Sequence, residues 1–88
     1  MRFVTLCKFK VKPTKQVLDE VNRLMDEVSK EGGKFLSVDW TLGRYDVVVI
    51  SEATDVKSVM QALLRFGHLL STETLVAIPG SEAVKLVQ

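Results

Sequence analysis

Apolar and polar residues recur along the chain with two different periods, which predict strands and helices in turn. Alternation by twos over Arg2–Val11 predicts a first strand, and Lys12-Pro13 ends it. Apolar residues then recur with a period of 3.6 from Thr14 to about Glu31, which predicts a helix with Thr14 as its N-cap. Gly32-Gly33 ends that helix, because glycine tolerates the left-handed conformation in which helices stop.

The second half of the chain predicts two strands, a helix and a last strand. The complete order is therefore βαββαβ, the ferredoxin-like pattern of the α+β class. In that pattern a four-stranded antiparallel sheet lies under two helices on one face. The predicted elements are strands Lys34–Thr41 and Arg44–Glu52, a helix from the N-cap Asp55 to about Leu69, and a strand over Ser71–Ile78, which Pro79-Gly80 ends.

Length and charge limit the possible functions. A chain of 88 residues forms one domain, expected over 1–88 with a C-terminal tail at 81–88. The 12 basic and 11 acidic residues leave a net charge of +1, which argues against nucleic-acid binding. The longest apolar run, Val47–Ile50, predicts no membrane span, and the N-terminus does not resemble a signal peptide. A single cysteine, Cys7, favours a cytoplasmic protein without disulfides.

Both faces of the predicted sheet carry apolar side chains, although the two helices can cover only one of them. In the first strand, Phe3 and Cys7 alternate with Val4 and Leu6. The other strands show the same mixture. A monomer would expose an apolar patch that soluble monomers rarely tolerate. We therefore expect two copies to pack through their sheet faces as a homodimer, or as a higher oligomer.

The hairpin between the second and third strands carries candidate acid–base groups. With a two-residue loop at Leu42-Gly43, Asp39 lies directly opposite Asp46, and one carboxylate could keep a proton because its partner raises its pKa. Arg44 could relieve the repulsion as an anion anchor. A shift in register would change every one of these pairs, and the carboxylates could equally bind turn amides.

Three further side chains are candidates for binding or catalysis. In the same register Trp40 faces Tyr45, either as a core aromatic pair or as the wall of a ligand pocket. His68 is the only histidine, and it serves as a helix cap or as a general base oriented by a carboxylate such as Glu73. Cys7 is expected to be a buried apolar residue rather than a reactive thiolate.

The sequence contains no pattern that predicts a metal or a cofactor. One histidine and one cysteine do not make a zinc site, and Gly32-Gly33 follows a helix where a phosphate-binding loop would precede one. The basic residues Arg2, Lys8, Lys10 and Lys12 lack interleaved aromatic residues and predict a solvated rim.

The segment Trp40–Val49, WTLGRYDVVV, resembles the GYD-domain family of small bacterial and archaeal proteins. The Gly-Gly before the second strand and Ser71–Leu75, which opens the last strand, extend the resemblance over nearly the whole chain. Arg44 separates Gly43 from Tyr45, so the signature here is Gly-Arg-Tyr-Asp. The resemblance implies a dimeric α/β-barrel architecture, and it supplies no reaction or catalytic residue.

Three functions remain open from the sequence. The first is a homo-oligomeric domain that binds a small molecule or serves as an assembly module. The second is a cofactor-free enzyme, of monooxygenase or isomerase type, acting on a small organic acid or aromatic compound. Its acid–base groups would come from Asp39, Asp46 and His68, beside Arg44 and Tyr45. The third is an interaction module that presents its tail to a partner.

Overall fold

Four strands and two long helices follow one another in the predicted order. The structure is a computed structural model and describes residues 1–87. Gln88, the last residue of the predicted tail, lies outside the described residues. The elements are strands β1 (Arg2–Phe9), β2 (Lys34–Trp40), β3 (Val47–Glu52) and β4 (Leu70–Ala77), helices α1 (Lys15–Lys30), α2 (Val56–Leu64) and α3 (Gly80–Ala83), and a 3₁₀ turn at Val84–Leu86.

The strands form one antiparallel sheet in the order β2-β3-β1-β4. Strand β1 lies in the interior, with Val4 opposite Ile50 of β3 and Leu75 of β4. Helices α1 and α2 lie over the side of the sheet that carries Thr5 and Cys7. This arrangement confirms the predicted α+β, ferredoxin-like fold with two helices on one face.

Helix α1 begins and ends as its sequence predicts. The Thr14 hydroxyl accepts a hydrogen bond from the backbone N–H of Val17, which stabilises the helix by about 1 kcal/mol. After the helix, Gly32 adopts a φ of +104°, a backbone conformation that favours glycine. At Gly33 a Cβ atom would lie 2.6 Å from the Val28 side chain, so the chain can turn this closely only without one.

The hydrophobic core is small and lies between the sheet and α1. Leu24 of α1 packs with Phe66 and Leu69, which follow α2, and Phe3 and Cys7 of β1 are buried as well. Helix α2 itself contributes no fully buried side chain. The core therefore fills only part of the space under the two helices.

Several predicted boundaries are wrong by a few residues. Helix α2 ends at Leu64, not near Leu69, because the chain turns there to bury Phe66 and Leu69. Strand β3 begins at Val47, not at Arg44, and β1 ends at Phe9. These differences shorten two strands and lengthen the hairpin loop between β2 and β3.

No helix within residues 1–87 is long and apolar enough to cross a membrane.

Candidate functional site

A cavity of about 370 Å³ lies between the sheet and the two helices. Its volume falls within the roughly 300–1,000 Å³ of pockets that hold small organic molecules. Most of the residues that line it are apolar. The wall includes Cys7, Phe9, Trp40 and Val47 from the sheet side, Asn22 from α1, and Ala62, Gln61 and Arg65 from α2 and its end.

The floor of the cavity is uncharged. It contains Cys7 and Val47, which are both buried and lie directly opposite each other on neighbouring strands. Burial raises the pKa of the Cys7 thiol from 9.0 to about 11, so the thiol keeps its proton at neutral pH. An environment that disfavours a thiolate also disfavours an anionic group of a ligand.

Two aromatic rings form one end of the cavity. Phe9 of β1 and Trp40 of β2 lie with their ring centroids 5.4 Å apart and their planes tilted by 39°. Trp40 is 59% exposed, so its indole stands partly free at this end. A planar apolar group could pack against these rings at little cost in desolvation.

Polar side chains lie around the mouth of the cavity. Arg65 donates a hydrogen bond to Glu31, and this pair lowers the pKa of Glu31 and raises that of Arg65. The Glu27 carboxylate, 4.0 Å from the Arg65 guanidinium, balances the charge of Arg65 further. Asn22 and Gln61 add uncharged amides to the cavity wall. Glu31 and Glu27 therefore counter the charge of Arg65, while its buried Nη1 atom stays a donor without a hydrogen-bond partner among the described residues.

The prediction that Asp39 faces Asp46 is wrong. Strand β2 pairs with β3 so that Asp39 lies opposite Val48, and Trp40 lies opposite Val47. The loop therefore spans six residues, Thr41 to Asp46, and is closed by a hydrogen bond of 2.9 Å from the Thr41 N–H to the Asp46 carbonyl. The register moves by two residues because Leu42-Gly43 does not form a two-residue turn.

The two carboxylates consequently have separate environments. Asp46 accepts a hydrogen bond of 2.9 Å from the backbone N–H of Phe9, and its own N–H donates to the Cys7 carbonyl. Asp39 lies on the outer side of β2, away from the helices, and its side chain has no bonding partner within residues 1–87. Asp46 therefore fastens the hairpin to β1, which is the turn-amide role left open by the sequence.

The predicted pair of Trp40 with Tyr45 is also wrong. Trp40 contacts Phe9 in the cavity, whereas the Tyr45 hydroxyl donates a hydrogen bond of 2.8 Å to Glu73 of β4. This hydrogen bond raises the pKa of Tyr45. The Arg44 guanidinium lies 5.6 Å from the centroid of the Tyr45 ring. Of the three predicted ligand-binding residues, only Trp40 lines the cavity.

His68 lies at the surface, in the turn before β4. Its Nε2 atom is 2.9 Å from the Glu20 carboxylate of α1, not near Glu73, the predicted orienting carboxylate. It therefore connects α1 to the end of α2. Asp39, Asp46 and His68 share no hydrogen-bond partner and do not form one site in the protomer.

The residues that give the cavity its chemistry were missed by sequence reasoning. Asn22 and Gln61 are single polar residues on amphipathic helices, where a polar side chain ordinarily indicates only the solvated face. Ala62 belongs to the apolar side of α2, but its small size leaves space instead of filling it. A count of side-chain volumes facing the sheet could have suggested a gap, although it could not have located one.

Within residues 1–87 no three His, Cys, Asp or Glu side chains come close enough together to hold a metal ion.

Comparison with known proteins places this geometry in a family. The sequence profile of the GYD domain matches residues 3–87, nearly the whole chain. The chain belongs to the GYD-domain family. This confirms the resemblance that Trp40–Val49 carries. No curated protein matches the chain.

Solved structures share the fold of this GYD domain at low sequence identity. The protein PH0061 is 23% identical with a TM-score of 0.58, and the match covers 90% of this chain and 52% of that one. A transcriptional regulator from Neisseria meningitidis, solved in complex with L-Met, is 13% identical with a TM-score of 0.64 and coverages of 90% and 50%. The chain thus spans about half the length of these two structures.

An antibiotic biosynthesis monooxygenase matches this chain over its own whole length. It is 20% identical, with a TM-score of 0.53, and the match covers 90% of this chain and all of that one. One of the three structures is described as a transcriptional regulator, one as a monooxygenase, and PH0061 has no activity in its description. Their likeness therefore establishes the ferredoxin-like fold of this GYD domain and leaves its function open.

Proposed function

We propose that this GYD domain is a homodimeric module that binds a small, uncharged and largely apolar molecule between its sheet and its helices. The cavity of about 370 Å³ is the observation that carries the proposal, because a protein interior is normally packed without space of this size. The neutral floor at Cys7 and the rings of Phe9 and Trp40 favour a planar apolar group. The amides of Asn22 and Gln61 in the cavity wall favour a neutral polar end on the ligand.

Two of the fold neighbours support a binding role without specifying it. One was solved with an amino acid, and the other is described as a monooxygenase. A small molecule therefore fits the general use of this fold. The alternative function, a cofactor-free enzyme, needs at least two acid–base groups at one cavity. Asp46 and His68 bond different partners and Asp39 lies on the outer side of β2, so the geometry of one protomer favours binding over catalysis.

The ligand proposal is tested with two probes that share one ring system. N-phenyl-1-naphthylamine is uncharged, and 8-anilinonaphthalene-1-sulfonate carries a sulfonate on the same skeleton. Trp40 is the only tryptophan, so energy transfer from its indole reports binding next to Phe9. We expect saturable binding of the neutral probe, at least about tenfold tighter than that of the sulfonate, which corresponds to about 1.4 kcal/mol.

A matched pair of substitutions on α2 locates the binding. Ala62→Phe fills the cavity, and Met60→Phe places the same ring on a side chain that is 60% exposed and outside it. We expect Ala62→Phe to abolish probe binding and Met60→Phe to leave it unchanged. Equal binding by the two variants, or no saturable binding by the unsubstituted chain, contradicts the proposal. Turnover of a bound aromatic compound would favour the enzymatic alternative.

The homodimer part of the proposal concerns the outer face, the side of the sheet opposite the helices. Its apolar side chains are neighbours across strands β3, β1 and β4, and Glu73, opposite Leu6 on β4, borders the patch that they form. A second copy would cover this patch on both molecules at once, as a two-fold symmetric interface does. The side chains of the patch are Val4, Leu6, Val48, Ile50, Leu75 and Ala77.

Sedimentation equilibrium with charged variants tests the dimer. Leu6→Asp puts a carboxylate in the middle of the outer face and should give a monomer at micromolar concentration. Leu64→Asp is the control, because Leu64 is 79% exposed on α2, on the opposite side of the domain. An unsubstituted chain that sediments as a monomer, or a dimer that survives Leu6→Asp, would exclude this interface.

A further inference from the structure

The cavity side of strand β3 changes from apolar to polar along its length. Its side chains on this side are Val47, Val49 and Ser51, at alternate positions of the strand. Ser51 lies directly opposite Phe3 of β1 and Phe35 of β2. One hydroxyl-bearing side chain therefore lies between two phenylalanines, at a position where a third valine would continue the apolar floor of the cavity.

The Ser51 hydroxyl has no hydrogen-bond partner within residues 1–87. A hydroxyl in apolar surroundings is costly when it has no partner, and valine would suit a strand better. Ser51 is half-buried, and its hydroxyl remains accessible on the floor of the cavity. The unpartnered Nη1 atom of Arg65, in contrast, is enclosed by protein atoms. Ser51 therefore offers a hydrogen bond that a molecule in the cavity can use.

Ser51 and the aromatic rings lie at opposite ends of the cavity. Ser51 is four positions after Val47, which pairs directly with Trp40 of β2. At about 3.3 Å per residue, four positions of a strand span roughly 13 Å. This length fits two aromatic rings joined in line with a polar atom at the end. A single ring would not reach both ends at once.

We propose that the ligand is an elongated neutral molecule bound in one direction, with an aromatic ring against Phe9 and Trp40 and a terminal hydroxyl or carbonyl oxygen hydrogen-bonded to Ser51. A serine hydroxyl donates to a carbonyl oxygen and accepts from a hydroxyl, so phenols and aryl ketones are the ligand classes that fit. The inference rests on the ligand-binding function proposed above and adds the direction and the chemical class of the ligand.

Two biphenyls that differ at one end test the role of Ser51. 4-Phenylphenol carries a terminal hydroxyl, 4-methylbiphenyl carries a methyl group in its place, and both are neutral at pH 7. Each displaces bound N-phenyl-1-naphthylamine, and the fall in the fluorescence of that probe gives the affinity. We expect Ser51→Ala to weaken the binding of 4-phenylphenol about three- to tenfold, the loss of one hydrogen bond. The affinity of 4-methylbiphenyl should stay within about twofold.

Two further variants control the position and the direction. Ser37→Ala also removes a strand hydroxyl, but Ser37 lies opposite Ile50, outside the cavity. It should leave both affinities within about twofold. Trp40→Leu changes the aromatic end and should weaken both biphenyls by the same factor. Its effect should add to that of Ser51→Ala, because side chains this far apart act independently.

The outcomes separate this inference from the proposed function. If Ser51→Ala weakens both biphenyls equally or neither of them, or if Ser37→Ala has the same effect, the role of Ser51 is wrong and the cavity remains a binding site. If Trp40→Leu weakens only one of the two, the direction is wrong. If N-phenyl-1-naphthylamine does not bind the unsubstituted chain saturably, the ligand-binding function itself fails.

Discussion

Removal of the Asp46 carboxylate should loosen the hairpin that carries one end of the cavity. Its carboxylate accepts the Phe9 N–H at 2.9 Å, just where β1 ends, and its backbone bonds Cys7 and Thr41. Asp46→Ala keeps the two backbone bonds and removes the side-chain acceptor. The Phe9 N–H, which is partly buried, then has no acceptor in the protein.

The size of the effect follows from that unpaired donor. A buried N–H left without an acceptor costs about 1–3 kcal/mol of folding free energy. Because Phe9 is only partly buried, we expect a cost in the lower half of that range, about 1–2 kcal/mol. For a domain of this size, each kcal/mol lowers the melting temperature by about 4–8 °C. We therefore expect a decrease of roughly 4–16 °C. Asp46→Asn retains an acceptor oxygen and should lose about half as much.

Urea unfolding at one fixed protein concentration measures the free energy of unfolding for each variant. Asp39→Ala is the matched control, because this carboxylate has no bonding partner within residues 1–87 and should change the free energy by less than about 0.5 kcal/mol. If Asp46→Ala and Asp39→Ala destabilise equally, the assignment of Asp46 as the hairpin anchor is wrong.

Three further predictions concern single groups. Burial raises the pKa of Cys7 from 9.0 to about 11, so the folded chain holds a proton that the unfolded chain releases first. The free energy of unfolding should therefore fall as pH rises from about 9 to 11, and urea unfolding of Cys7→Ala should lack this fall. The Tyr45 hydroxyl donates to Glu73, so ultraviolet titration of this single tyrosine should show a lower pKa in Glu73→Gln; an unchanged pKa would exclude the hydrogen bond. Asp55 caps α2 by accepting the Ser58 N–H, and Asp55→Ala should lower the melting temperature by about 4 °C or more in thermal unfolding, an effect that Asp55→Asn largely avoids.

The hydrophobic periods were enough to predict the order of the elements, because strands and helices of this length depend mainly on which positions face the sheet. Thr14 and Asp55 marked the two helix starts correctly, since a cap is a local interaction. The register of the hairpin between β2 and β3 could not be predicted in this way. It depends on the Asp46 side chain reaching the Phe9 N–H, a contact between residues 37 positions apart that no local pattern contains.

The candidate site was less predictable than the fold for the same reason. Trp40 was identified as a candidate ligand-binding residue, but its aromatic partner is Phe9, which lies on a strand at the other end of the sequence. The separation of Asp39 from Asp46 follows directly from the register. The cavity depends on the balance between small and large side chains under α2. The spacing of apolar residues along the sequence predicts which side chains face the sheet, but it does not predict how completely they fill the space there.

The cavity and the outer face have complementary consequences for stability. A closed, dry cavity of 370 Å³ would cost on the order of 9 kcal/mol at about 24 cal/mol per Å³, as much as the whole free energy of unfolding of many domains. A domain with so small a core cannot carry that cost, so the space must be open to water or occupied by a ligand. Occupation stabilises the folded state in proportion to the logarithm of ligand concentration, and dimerisation does the same with protein concentration. Ligand binding on one face of the sheet and dimerisation on the other therefore stabilise the same small core independently. The neutral probe should raise the melting temperature even in the monomeric Leu6→Asp variant, because the cavity of that variant is unchanged.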